Sequence, residues 1–287
     1  MSEILREATT MSAPVAEGRP WGLWKSQLLS VIRLELKKGF LGKRSIMLIL
    51  LALQAPFILG LRAILPGTVD DPANLLTATQ GFSVAYQFIL RMVVFLGCVT
   101  IFGNLVRREV MDRSLHYYFL SPIRRELLVV AKYLTGLIAA VTLFSASTAL
   151  SFFLAYAPHT GVQRFMLHGG GLGHLGSYLV ATVLGCIGYG AVFLAFGFFF
   201  KNPAIPALLV FGWEGINFLL PPFLKKISII HYVQSFCPVP FDQGPLAILT
   251  AAPPAWVSIP GVLLVSAVLL AVSAWKIRKM EINYEEA

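Results

Sequence analysis

Two histidines, His168 and His174, flank the glycine run HGGGLGH. A zinc site takes three or four protein ligands, so two imidazoles are too few, and the stretch reads as a flexible external loop. Gly39-Phe40-Leu41-Gly42-Lys43-Arg44-Ser45 has the residue types of a phosphate-binding loop, but its two glycines stand too close together. That loop needs four residues between them, because its backbone N–H groups must curl around the phosphates. No Ser/His/Asp, Cys/His or paired-carboxylate arrangement has a useful spacing. The expectation is therefore no catalytic residue, no metal site and no cofactor held by this chain. Two ionisable residues, Arg91 and Glu214, lie inside long apolar runs. Charge at membrane depth is costly and is usually paired or turned to water. These two are read either as lining a translocation route or as a structural pair, with Glu214 alternatively reaching the outer interface. Lys225 and Lys226 form a basic pair in an apolar, proline-cut stretch. They would either meet an anionic headgroup at an outer gate or simply be solvated.

The elements that must position these residues are apolar. Of 287 residues, 57% are hydrophobic and 13% charged, against about 25% charged in a soluble domain. This is the composition of an integral membrane protein. The +9 net charge does not point to nucleic acid, because no soluble basic domain is visible to carry it. Three cysteines, two of them inside apolar runs, make no disulfide framework. Residues 1–20 lack the basic start, apolar centre and cleavage site of a signal peptide, and are expected to be a disordered cytoplasmic tail.

A spanning helix needs about 20 apolar residues. Six candidates follow: Ile46–Leu65, Phe82–Leu105, Leu127–Tyr156, Tyr178–Phe200, Pro203–Leu220 and Val257–Trp275. The expected fold is an all-α polytopic membrane protein with six transmembrane helices over 45–276 and a cytoplasmic tail at 277–287. With the N-terminus inside, all of the 23 Lys and Arg residues except Arg62, Arg91, Arg164, Lys225 and Lys226 fall on the inner side. The positive-inside rule then places both termini in the cytoplasm. Residues 21–44 open with Trp21, Trp24, Leu28, Ile32 and Leu36 on one helical arc and Lys25, Arg33 and Lys37 beside it. This is expected to be an amphipathic interfacial helix on the lipids of the inner leaflet; the alternative is a helix packed on protein. The fourth span carries Gly185, Gly188, Gly190 and Gly197, which permit close helix approach either between subunits or within one. The stretch 221–256 is apolar and cut by Pro and Gly, and reads as two re-entrant outer helices between spans five and six.

Between spans two and three stands REVMDRSLHYYFLSPIRREL. Met111, Leu115, Tyr118 and Phe119 recur at helical spacing, with Asp112, Arg113 and His116 opposite. This predicts an amphipathic cytoplasmic helix over 107–120. Ser121-Pro122 ends it and supplies an N-cap and first residue for the third span. An aromatic face on a short helix held between two spans suits docking to a soluble partner or lying in the interface.

The order of a basic interfacial helix, two spans, and then Glu109, Leu115, Leu120, Ser121, Pro122, Arg124, Arg125 and Glu126 ahead of a long span resembles the permeases of the type-2 ABC-transporter family. The likeness runs from about Trp21 to Tyr284. At His116-Tyr117-Tyr118-Phe119 the residues are bulkier than that pattern. The resemblance implies that residues 107–120 are a coupling helix, with Arg108, Glu109, Asp112, Arg113, Leu115, His116, Tyr118 and Phe119 contacting a separate ATPase subunit that holds ATP and magnesium. It implies an exporter permease working with a second permease, as a homodimer or a pseudo-symmetric heterodimer, in a bacterial inner membrane. It also implies that the re-entrant helices form the outer gate. Two other readings stand beside it: a membrane-embedded lipid-modifying enzyme, which would need a polar catalytic cluster, and an ion-coupled secondary transporter, which should have inverted repeats.

Overall fold

The computed structural model describes residues 21–40, 43–65, 74–111, 125–200, 202–239 and 253–278, all helix or short connection, with no β-strand among them. Helix α1 is Trp21–Phe40 and α2 is Lys43–Ile64. Asn74 opens α3 (Leu75–Phe88), its side chain accepting the Leu76 N–H at 3.0 Å, which satisfies one of the orphan donors of a helix start. The chain continues through a six-residue π-helix, Ile89–Val94, into α4 (Phe95–Met111). The apolar window of this rod, Leu75–Arg107, has 33 residues, about 50 Å at helical rise. Helix α5 (Arg125–Tyr156) is as long. A short α6 (Val162–His168) leads into α7 (Gly171–Phe199), and the last long helix is α11 (Ala255–Arg278).

The histidine–glycine stretch differs from the expected loop. His168 ends α6, Gly170 turns the chain with φ at +83°, and Gly171 to His174 are already the first turn of α7. The glycines serve a tight turn between helices, which needs the left-handed conformation open to Gly.

Among the described residues, five helices are long and apolar enough to cross a membrane: those within α2, α3–α4, α5, α7 and α11. The expected fifth span is shorter than the sequence suggested. Helix α8 is Ala204–Gly215, 12 residues, or about 18 Å, against a hydrocarbon core of about 30 Å. The chain turns at Ile216, forms a 3₁₀ turn at Asn217–Leu219, and then makes α9 (Pro222–Lys225) and α10 (Ile229–Val233). Gly215 and Pro221-Pro222 break a run that hydropathy alone reads as continuous.

Helix α7 is the centre of the bundle: 67% of its apolar window is buried, against 22% for α2 and for α11. It packs on α4, α5 and α11, while α1 and α2 lie against α5. Its glycines face neighbours within the chain. A Cβ on Gly190 would stand 2.6 Å from the Phe102 ring, and one on Gly188 would stand 3.0 Å from Ile229 of α10. Gly185 faces Leu90 and Val94, and Gly197 faces the Gly103 carbonyl. Of the two readings of this glycine stripe, packing within one subunit is the one that the contacts follow.

Candidate functional site

Helix ends gather at one end of the bundle. Helix α4 is continuous through Arg107, Arg108 and Glu109 to Met111, so the start of the expected coupling helix prolongs the second span. Asp112, Arg113, Leu115, His116, Tyr118, Phe119 and the Ser121-Pro122 break lie outside the described residues. Their frame is described. Lys132, about two turns into α5, is fully buried and donates to Glu35 of α1 at 3.3 Å and to the Leu105 carbonyl of α4 at 3.2 Å. Glu126, in the first turn of α5, pairs with Arg278 in the last turn of α11. Lys276 stands 5.6 Å over the ring of Phe199, the last residue of α7. Residues from five helices thus meet at the base of α5.

The packed side of α1 is the arc of Leu28, Val31 and Glu35, while Lys25, Leu29, Arg33 and Leu34 are exposed. The hydrophobic arc expected from the sequence shares Leu28 with it, and Ile32 and Leu36 beside it are half-buried. Glu35 was invisible to that pattern, because a carboxylate is not expected on a buried face. Its one signal was its position a helical turn beyond Val31 and Ile32. Lys132 looked like one more inner-side positive charge.

A second group of polar residues surrounds Glu214. Its carboxylate is buried and accepts the Ser228 hydroxyl at 2.5 Å and the Ile229 backbone N–H at 3.0 Å. Glu214 is in effect the N-terminal cap of α10. Arg91 sits on the π-helix, half-buried, and acts on this carboxylate only through space; no hydrogen bond or ion pair joins the two. The hydroxyl of the fully buried Tyr189 lies beside the Glu214 carboxylate. A π-helix adds a residue to the turn and shifts the side chains that follow, so sequence spacing alone does not say where Arg91 points. Ser228 and Tyr189 were not among the expected residues. Only the N-cap preference of serine before an apolar run signalled Ser228.

The two lysines separate. Lys225 is buried at the end of α9 and Lys226 is exposed, its carbonyl accepting the Tyr232 hydroxyl at 2.9 Å. His231 stacks edge-on with Tyr232. Elsewhere the bundle is joined by hydroxyls: Tyr86 reaches Thr182 at 2.9 Å, and Thr182 reaches Thr148 at 3.3 Å, linking α3, α7 and α5. Arg62 lines a cleft with Thr77, Gly81 and His159 whose void is about 20 Å³, room for about one water. No group of three or more His, Cys, Asp or Glu lies together among the described residues.

Residues 31–212 match the family model described as ABC-2 family transporter protein. No curated protein matches the chain.

Proposed function

The chain belongs to the ABC-2 family of transporter proteins, and on that footing we propose that it is the permease of an ATP-driven exporter whose energy enters between α4 and α5. Membership makes it the membrane subunit of an ABC transporter, and the five long apolar helices make it a multi-pass membrane protein. The further reading is that residues 107–120 are the coupling helix. Arg108, Glu109, Asp112, Arg113, Leu115, His116, Tyr118 and Phe119 then contact a separate ATPase subunit, which carries the nucleotide and magnesium, so this chain is not itself an enzyme. One observation carries this reading furthest. The connection 112–124 is strung between two helices held together at Lys132 and Leu105, at the end where α1 and α11 are also tied. A push delivered there reaches four elements at once.

Six crossings fit the same arrangement. Phe199 and Lys276 meet at one end, yet α11 begins a full helix length away. In this reading the chain between them returns from one end to the other, with α8 and the short helices after it as the sixth crossing. Those helices, with Lys225 and Lys226, form the outer gate in this reading, and two permease copies enclose the route. Both termini are cytoplasmic, in a bacterial inner membrane.

The test is co-purification of the full chain with the ATPase subunit from its native membrane. A stable complex that is lost on replacing Arg113, Tyr118 and Phe119 by Ala is expected. Undiminished binding by that variant would count against the coupling helix. ATP-dependent accumulation of substrate in inside-out vesicles is expected for an exporter.

A further inference from the structure

Lys132 occupies an unusual place for a buried cation. It lies about two turns past the start of α5, and Leu105 lies about two turns before the end of α4. The hydrogen bond between them therefore spans the two helices at matched heights beside the connection 112–124. The same Nζ holds Glu35, so α1 is fastened to the same point. Apolar packing between helices tolerates sliding and rotation. A charged donor held by a carboxylate and a carbonyl fixes height and direction. Such a buried pair adds little net stability over an apolar pair of similar volume, so what it supplies here is geometry.

We propose that Lys132 is a positioning residue for energy transfer: through Glu35 and the Leu105 carbonyl it makes α1, α4 and the base of α5 one rigid corner, so that displacement of residues 112–124 moves α1 with them. This rests on the coupling reading above. Helix α1 is then the output of the corner, and its exposed face of Lys25, Leu29 and Arg33 moves against whatever lies beside it.

The full chain in complex with its ATPase, in nanodiscs, provides the test. Spin labels go on the exposed positions Arg33→Cys in α1 and Val180→Cys in α7. Cys237 is replaced by Ser, while Cys98 and Cys186 are buried. In the otherwise wild-type chain the label distance is expected to shift on adding ATP. Glu35→Leu/Lys132→Met removes both members of the buried pair at once. It is expected to melt near the wild-type temperature, to bind the ATPase, and to lose the shift. Lys132→Arg keeps both donations and is expected to retain the shift, and it decides the matter should the double variant not fold. A shift that persists in the double variant, is absent from the wild-type complex, or is lost in a folded Lys132→Arg variant overturns the corner while leaving the permease standing. Failure of any ATPase to bind would overturn the permease reading, and the corner with it.

Discussion

Glu214 holds Ser228 and the first N–H of α10, a task that was not among those read from the sequence. Hydrogen bonds to a buried charge contribute about 1.5–3 kcal/mol each, and an orphaned N–H costs about 1–3 kcal/mol. Glu214→Ala should therefore loosen α10 from α8 and lower the melting temperature of the purified chain. Labelling of the half-buried Cys237, just past α10, should become faster. Glu214→Gln keeps an acceptor for Ile229 and should fall between the two. Equal labelling rates in all three proteins would mean that α10 is held by its apolar contacts alone. Arg91 shows the limit of reading charge by depth: a Coulomb interaction does not require a bond, and α8 lends its carboxylate to a helix cap instead.

At the scale of elements, the close approach of α7 and α4 rests on what the glycines leave empty. Phe102 of α4 lies against Gly190 of α7 and Gly136 of α5, with a Cβ at either position standing 2.6 Å from its ring. Overpacking of this kind costs about 1–3 kcal/mol. Gly190→Ala should lower thermal stability by that amount, whereas Gly176→Ala, on the same helix with nothing near its Cβ, should leave it unchanged or slightly higher. Equal melting temperatures for the two variants would show that α4 yields easily. The short α8 belongs to the same scale. Its 12 residues end where Gly215 and Pro221-Pro222 stop helical hydrogen bonding, a break that a hydropathy window averages away.

At the scale of the whole molecule, α5 shows which way its neighbours run. Ser147 donates to the Ala52 carbonyl and Leu154 faces Gly60, so α2 and α5 run in the same direction. Helix α11 ends beside the start of α5. With the inner end assigned by charge, a membrane-impermeant maleimide should label Gln163→Cys on α6 in intact cells. Ser26→Cys on α1 should be labelled only after the membrane is opened. The reverse pattern would invert the topology. A lipid-modifying enzyme would need a polar cluster open to the interface, whereas the buried hydroxyls of Tyr86, Thr148 and Thr182 are spent on one another inside the bundle.

Apolar length and the distribution of Lys and Arg are properties that a chain carries whatever its fold, because lipid rewards them segment by segment. They were enough for the all-α membrane class, for four of the long spans together with the last, and for the resemblance carried by Glu109 to Glu126. The sequence also marked the stretch between spans two and three as the place to look. Contacts between distant residues obey no local spacing. Glu35 with Lys132, Glu126 with Arg278, Glu214 with Ser228 and Gly190 with Phe102 became partners only when the bundle closed. The π-helix that carries Arg91 was decided in the same way, since close packing can impose a turn that the local pattern of apolar residues does not encode.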